Sequence, residues 1–510
     1  MLLDLKKIPF GQHLSRHLLF REDDPLGVGR EQGLYLGLAN ESSSMFAGFA
    51  ARSAGFILLK PTVEGREADY SLQADPASAL VDCGKGGGIR FAIDGCALLL
   101  QSDGPGLELT VRLGFGETVS RTERGYELNL GATKYVIATR KGKAELEVMW
   151  DLTALKSTDP VITLTPEDGV LDVVIWDTTG AYKLPEIAPD VDAAAKKAQA
   201  AFRAFCAKLP AGASELLAYN LWMGFQGFRG DAMVCSNKIN DNRFQALHQA
   251  VSALAFREAE DVIDLLGALL KQATPGGLVP CQVKESGIVP EAAPPLYGLA
   301  LSMAANLDKV PKEKLEAFYA LYAPSVAWWL SNRCLPDGAC YYAYPHECGW
   351  EGAAILRTGE PAVSPDLAVW MYLSLKVLSD MAVLLGRQEE ALAYAQGARK
   401  QWAVLLRLWQ GGGFVCRSAL TDEVQPCRTA LGLVPLLLGG ALPAEMRTAL
   451  EARALKIHGG DSLLSGIVAL GAPALAARLL AQGGEKQAAP AAAAYDPARC
   501  ALLLALKERS

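Results

Sequence analysis

The spacing of apolar residues changes once along this chain of 510 residues, and that change limits the possible folds more than any other feature. In LELTVRLGF, every second residue from Leu107 to Phe115 is apolar. A period of two is typical of a strand with one buried face. LDVVIWD, from Leu171 to Asp177, is expected to be buried on one or both faces, and the turn sequences SDGPG and TPEDG separate such runs. Residues 1–190 are therefore predicted to form an antiparallel β-sandwich.

From Ala193 onward the apolar residues recur at the spacing of a helix. In PDLAVWMYLSLKVLSDMAVLLG, Ser364 and Pro365 are suited to begin a helix, and Gly386 is suited to end it. Helical segments recur in pairs through residues 195–510, which form the predicted second domain. Paired helices fit either a closed ring or an open solenoid, and no repeat of fixed period distinguishes the two.

Composition excludes several classes of function. The formal net charge is -7, without long runs of one sign, so no basic patch for nucleic acid is expected. No apolar run reaches the length of a membrane span, and the N-terminus lacks the pattern of a secretory signal. A cytoplasmic protein that binds neither nucleic acid nor membrane is therefore expected.

The cysteines do not predict a disulfide framework or a metal site. There are 11 of them, an odd number, and no C-x-x-C pair occurs. Cys334 and Cys340 flank the turn sequence LPDGA and are close enough in sequence to pair. Reduced thiols are the simpler expectation for a cytoplasmic protein.

Several segments of the helical part resemble the six-hairpin toroid of glycoside hydrolase family 63 and its bacterial relatives, which include mannosylglycerate hydrolases. Their order and spacing along residues 214–410 carry the resemblance. The segments are ELLAYNLWMGFQGFRGDAMVCSNKI, EDVIDLLGALLKQATPGGLVP, APPLYGLALSM and YPHECGWEGAAI.

This resemblance implies a β-sandwich followed by an (α/α)6 toroid with a sugar pocket in the toroid. It also implies an exo-acting, inverting hydrolase of a small glycoside or oligosaccharide, without a cofactor or a metal. Inverting hydrolysis uses two carboxyl groups, one as acid and one as base. The oligomeric state, the sugar and its anomer are not predicted.

The sequence departs from the family at both catalytic positions. Leu247 and His248 stand where the family has Trp and the Asp that acts as general acid. Asp241 lies seven residues before His248. Ala493 stands where the family has the Glu that acts as general base. The remaining carboxylates of the motif HECGWEG are therefore the candidates for catalysis. The predicted catalytic residues are Glu351, Glu347 and Asp241, and the predicted sugar-binding residues are Trp350, His346, His248 and Gln282.

Two other functions remain open. A sugar-binding protein without hydrolysis would explain the two missing carboxylates. An epimerase or isomerase that uses histidine as acid and base would require His248, His346 and His458 to converge. Fold alone does not choose among the three functions.

Overall fold

The computed structural model describes residues 1–22, 32–39, 55–113, 116–131, 133–153, 156–157, 159–179, 189–224, 227–229, 232–234, 244–284, 287–350, 361–427, 429–456, 462–481 and 497–509. The chain divides into two compact units. The β unit comprises residues 1–206, 218–243 and 493–495, and the helical unit comprises residues 207–217, 244–492 and 496–510. The predicted domain limits, 1–190 and 195–510, stay a prediction.

The strands of the β unit form antiparallel sheets. One eight-stranded sheet has the order β1-β2-β3-β4-β10-β17-β14, with β5 beside β4, and the other has the order β11-β12-β13-β18-β9-β8-β7-β6. The strands are Phe10–Gly11 (β1), His17–Glu22 (β2), Gly33–Leu38 (β3), Ile57–Val63 (β4), Arg66–Glu67 (β5), Ser71–Ala74 (β6), Ala79–Asp82 (β7), Gly88–Asp94 (β8), Ala97–Ser102 (β9), Gly106–Val111 (β10), Thr118–Thr122 (β11), Gly125–Leu130 (β12), Thr133–Lys141 (β13), Lys143–Glu147 (β14), Trp150–Asp151 (β15), Lys156–Ser157 (β16), Val161–Thr165 (β17), Leu171–Asp177 (β18), Gly227–Arg229 (β19) and Ala232–Val234 (β20).

Burial in these sheets follows the apolar pattern. On β10, Leu107, Leu109 and Val111 are completely buried, as the period of two predicts. Strand β18 lies between β13 and β9 and is buried on both faces. Its Val174 and Trp176 pack in one apolar cluster with residues of the helix Val191–Cys206 (α1). A helix over the sheet explains why this strand is apolar without alternation.

The helical unit is built mainly of helices with short strands between them. Helix Glu215–Gly224 (α2) follows α1 along the chain, and its residues from 218 onward belong to the β unit. The helices of the helical unit are Ala246–Ser252 (α3), Ala259–Leu270 (α4), Tyr297–Met303 (α5), Lys312–Asn332 (α6), Pro365–Leu384 (α7), Gln388–Arg407 (α8), Ala444–Ala454 (α9), Ser462–Ala469 (α10) and Pro497–Arg509 (α11). The strands are Phe244–Gln245 (β21), Pro280–Lys284 (β22), Gly287–Ala292 (β23), Ala362–Val363 (β24), Trp409–Gln410 (β25), Gly413–Ser418 (β26) and Val424–Pro426 (β27).

Helix α7 is the core helix of this unit. It packs against α5, α6 and α8, and most of its side chains are buried. Ser364 precedes it, Pro365 begins it and Gly386 follows in a left-handed conformation, as predicted. Among the described residues, α7 alone has the length and apolar composition of a membrane span, and 67% of its apolar stretch is buried in the fold. A core helix of a soluble protein has the same properties.

The contact between α5 and α7 leaves no room for a side chain at Gly298. A Cβ there would lie 2.6 Å from the backbone nitrogen of Ser374, which is fixed within α7. We therefore expect Gly298→Ala to lower the free energy of unfolding by about 1–3 kcal/mol. Gly267→Ala on α4 is the matched control, because its nearest neighbour, Phe318, is 3.9 Å away. That change should stabilise by about 0.5–1 kcal/mol. Equal effects in urea unfolding would contradict this account of the contact.

Candidate functional site

The segment predicted to carry the site begins with one turn of 3-10 helix, Pro345–Cys348, and continues to Trp350. Gly349 has a φ of 75°, and a Cβ there would lie 3.2 Å from the side chains of both Leu247 and Pro294. The segment 345–350 therefore lies against the start of α3, which carries His248. A side chain at position 349 would be strained by its backbone conformation and would also crowd both neighbours, which would have to shift by a few tenths of an ångström.

Glu347 is held in the interior by an arginine. Its side chain is completely buried, and the guanidinium of Arg333 contacts both carboxylate oxygens. The shortest of these contacts, Nη2 to Oε1, is 2.8 Å. The backbone N–H of Ala343 donates a further hydrogen bond to Oε2. A buried carboxylate needs such partners, because an unpaired charge in the interior is costly.

The charge of Glu347 acts on Arg333 in return. Burial of Arg333 works against its charge, but the hydrogen bonds and the negative charge of Glu347 raise the pKa of the guanidinium above its ordinary value. The ring of Trp328 lies over the guanidinium group, with its centroid 5.0 Å from the Cζ atom of Arg333. Arg333 is thus fixed from two sides, as a planar guanidinium allows. The structure shows Glu347 bound to Arg333 and to the backbone of Ala343. Its catalytic role stays a prediction.

A second buried carboxylate, Asp366, is linked to this part of the chain through Tyr342, whose hydroxyl is within electrostatic range of Glu347 as well. It is completely buried at the start of α7, where Ser364 and Tyr342 both donate hydrogen bonds to it. The hydroxyl of Tyr342 is 2.8 Å from Oδ2. Burial raises the pKa of Asp366, and the two hydroxyl donors oppose that rise. Asp366 was not among the predicted site residues.

Cys348 connects Asp366 with the 345–350 segment. The thiol is completely buried, and burial together with the negative charge of Asp366 raises its pKa to about 12. The backbone N–H of Trp350 donates to the Cys348 sulfur at 3.4 Å. Cys348 therefore lies within electrostatic range of Asp366, and its hydrogen bond from Trp350 fixes the end of the 345–350 segment. We call Arg333, Tyr342, Glu347 and Asp366 the buried acid cluster.

Trp350 is also buried, with 4% of its surface exposed. Its indole nitrogen has no hydrogen-bond partner among the described residues. A tryptophan in this setting packs the segment against the interior. Stacking of its ring on a sugar stays a prediction.

Gln282 and His248 lie on neighbouring elements. Gln282 is half-buried on β22, where it pairs with Gln245 of β21, and β21 leads directly into α3. His248 is half-buried on α3. Strand β23 of the same sheet touches the turn at 345–348. The fold thus collects Gln282, His248, Glu347 and Trp350 on adjoining elements of the helical unit.

Other predicted residues lie outside the described part of the chain. Asp241 and Glu351 are among these, and so are His458 and Ala493. His346 lies in the turn, but its side chain is outside the description. Within the described residues, no group of three or more His, Cys, Asp or Glu is arranged to hold a metal ion. The absence of a metal from the protein stays a prediction.

Comparisons with known proteins agree with this architecture. Residues 246–463 match the family described as the mannosylglycerate hydrolase MGH1-like glycoside hydrolase domain. The family GH92 alpha-mannosidase from Bacteroides thetaiotaomicron, solved with mannoimidazole, is similar over 99% of this chain and 82% of its own, with a TM-score of 0.52 and 10% identity. The GH63 mannosylglycerate hydrolase from Thermus thermophilus, solved with glucose, covers 48% of this chain and 86% of its own, with a TM-score of 0.40 and 14% identity. No curated protein sequence matches significantly.

The fold is therefore that of carbohydrate-active proteins in which an antiparallel β-sandwich precedes an α/α toroid. Residues 246–463 are similar to the mannosylglycerate hydrolase MGH1-like glycoside hydrolase domain, and this similarity covers less than half of the chain. Both the resemblance and the fold class predicted from the sequence are confirmed. The match includes α3, the 345–350 segment and α7, so the buried acid cluster lies within the matched residues.

Glu347→Gln tests whether the Arg333–Glu347 pair holds this part of the domain together. The amide keeps the size of the side chain but leaves Arg333 without its counter-charge. We expect the free energy of unfolding to fall by about 3 kcal/mol. The control is Glu316→Gln, which removes an exposed pair with Arg387 and should cost less than about 1 kcal/mol. Urea unfolding that gave equally small losses for both variants would show that the buried pair does not stabilise the fold.

Proposed function

We propose that the protein is an exo-acting, inverting glycoside hydrolase whose sugar pocket lies in the helical unit, beside the 345–350 segment. The match of residues 246–463 to a glycoside hydrolase domain carries this proposal. The approach of Gly349 to Pro294 supports it, because two segments of the family resemblance, YPHECGWEGAAI and APPLYGLALSM, meet there. A cytoplasmic location and the binding of a small sugar or glycoside, without nucleic acid or membrane as partners, belong to the same proposal.

The reaction needs an acid that protonates the leaving oxygen and a base that takes a proton from the attacking water. In inverting enzymes the two carboxyl groups are ~6.5–9.5 Å apart, which leaves room for that water. In the proposal, Glu351 and Asp241 are this pair. Glu347 acts indirectly, because Arg333 and the N–H of Ala343 already occupy its oxygens. It fixes the turn that leads through Trp350 to Glu351.

The proposed sugar contacts combine an aromatic ring with hydrogen-bonding side chains. Trp350 would contact the apolar face of the sugar ring, and His346, His248 and Gln282 would bind its hydroxyls. Pockets for small molecules commonly have this mixture of aromatic and polar groups. His248 and Gln282 are half-buried, so both side chains remain partly accessible to a ligand.

Small α-mannosides are the first substrates to test. The names of the compared proteins, mannosylglycerate hydrolase and alpha-mannosidase, share mannose. The proposal extends that sugar to this chain. Glucosides and galactosides in both anomers complete the panel.

The purified protein is incubated with this panel from mildly acidic to neutral pH, and sugar release is measured. We expect turnover, with a product anomer opposite to that of the substrate when observed by NMR. Glu351→Gln and Asp241→Asn should each lower kcat by about a hundredfold or more, because each removes a proton-transfer group. Glu445→Gln, at an exposed position on α9, should leave the rate unchanged.

Three results would contradict the proposal: retention of the anomeric configuration, release that survives both variants, or no release from any glycoside. In the last case, saturable binding of mannose would favour the second candidate, a sugar-binding protein without hydrolysis. The engagement of Glu347 with Arg333 favours that candidate, since it removes one carboxylate from direct chemistry. Interconversion of free sugars would instead identify a histidine-based epimerase.

A further inference from the structure

Cys334 and Cys340 flank a tight hairpin turn directly after α6. The N–H of Gly338 donates to the carbonyl of Leu335, and the N–H of Leu335 donates to the carbonyl of Ala339. Gly338 has a φ of 85°, which supplies the left-handed residue that three-residue hairpin turns require. The sequence Pro-Asp-Gly therefore fixes the turn and the pairing that follows it.

The pairing places the two cysteines directly opposite each other. They form an antiparallel bridge, and the hydrogen bonds flanking it join Tyr341 to Arg333 and Leu335 to Ala339. Cys334 and Cys340 are thus a non-hydrogen-bonded pair, the kind in which the Cα atoms lie about 4.5 Å apart and the side chains are closest. That separation falls within the range of about 4.4–6.8 Å found in disulfides.

We propose that Cys334 and Cys340 are a redox-active dithiol that a small-molecule disulfide, such as oxidised glutathione, converts to an intramolecular disulfide. In the structure both are free thiols, as the sequence led us to expect. The modification is independent of the proposed hydrolysis.

The reaction proceeds by two thiol–disulfide exchanges. The Cys334 thiolate attacks one sulfur of the oxidant, breaks its S–S bond and releases one reduced thiol. The Cys340 thiol loses its proton and attacks the Cys334 sulfur of the mixed disulfide, which releases a second reduced thiol. Two protein thiols are oxidised and one oxidant disulfide is reduced to two thiols.

Exposure assigns the two roles. Cys334 is half-buried and can meet the oxidant, whereas Cys340 is 2% exposed and is suited to resolve the mixed disulfide. The interaction with the Cys340 thiol lowers the pKa of Cys334 in spite of its partial burial, and Lys400 acts in the same direction. A partly exposed thiol with a lowered pKa is the reactive type of cysteine.

The surroundings hold the resolving thiol in place. The side-chain amide of Gln401 donates to the Gly338 carbonyl at 2.8 Å and to the Cys340 sulfur at 3.7 Å. Arg417 binds Asp337 at the tip of the turn, with Nη2 2.8 Å from Oδ2. The hairpin therefore needs little rearrangement to close the bond. Oxidation would modify the residue next to Arg333, which belongs to the buried acid cluster.

A second cysteine pair provides an internal comparison. Cys416 on β26 pairs with Gln425 rather than with Cys427, so the two cysteines are diagonal across the strands. Both are buried, with at most 3% of their surface exposed. An oxidant cannot reach either thiol in the folded protein, and we expect this pair to stay reduced.

The experiment exposes the native protein to mixtures of oxidised and reduced glutathione, then blocks the remaining thiols and digests it with trypsin. One peptide, residues 334–357, contains Cys334, Cys340 and Cys348. We expect this peptide to lose two hydrogen atoms, with fragmentation assigning the bond to Cys334 and Cys340. In the Cys340→Ser variant, the protein should accumulate as a mixed disulfide of glutathione with Cys334. In the Cys334→Ser variant, neither the mixed disulfide nor the intramolecular disulfide should form in this peptide.

Cys348→Ser and Cys416→Ser are the controls, and both should still form the Cys334–Cys340 bond. Four results would overturn the proposal. These are a bond to Cys348, a stable glutathione adduct on Cys334 in the wild type, oxidation that requires denaturant, and a peptide that stays reduced at every glutathione ratio.

Discussion

The burial of Glu347 is the constraint on which the described part of the candidate site depends. A carboxylate with no exposed surface needs a counter-charge, and Arg333 supplies it at the end of α6. This pair ties the segment after α6 to the 3-10 turn, and Gly349, directly after the turn, lies against Leu247 of α3. Its removal would leave a buried charge without a partner, so the whole segment depends on it.

Asp366 provides the second fixed point. Its hydrogen bond from Tyr342 secures the strand-like residues before the turn, while Tyr342 also pairs with Ala362 through two backbone hydrogen bonds. Glu347 and Asp366 thus hold the 341–350 segment from two sides. Such rigid support is what precise binding or catalytic geometry requires.

Most of the fold could be predicted because it follows from local periodicity. The period of two placed Leu107, Leu109 and Val111 in the β core, and Ser364 with Gly386 marked the ends of α7. The burial of β18 on both faces depends on α1, a helix that follows it in sequence. Its continuous apolar run indicated this possibility without identifying what covers it.

The site was only partly predictable. The family resemblance pointed to Glu347 and Trp350, but it gave no sign that Glu347 is paired with Arg333, fourteen positions earlier. Asp366 was missed because an acid in the first turn of a helix usually serves the helix dipole at the surface. Its setting, between Ser-Pro and the apolar run LAVW, is the signal that could have revealed a buried carboxylate.

The central claim is that a sugar binds beside the 345–350 segment of the helical unit. Amide hydrogen exchange, measured on the wild-type protein with and without saturating mannose, tests it most directly. We predict slower exchange with sugar in peptides covering residues 280–292 and 334–357, and unchanged exchange in residues 1–206, the part of the β unit that contains none of the proposed site residues. Protection confined to residues 1–206, or binding without protection of residues 280–292 and 334–357, would contradict the assignment of the site.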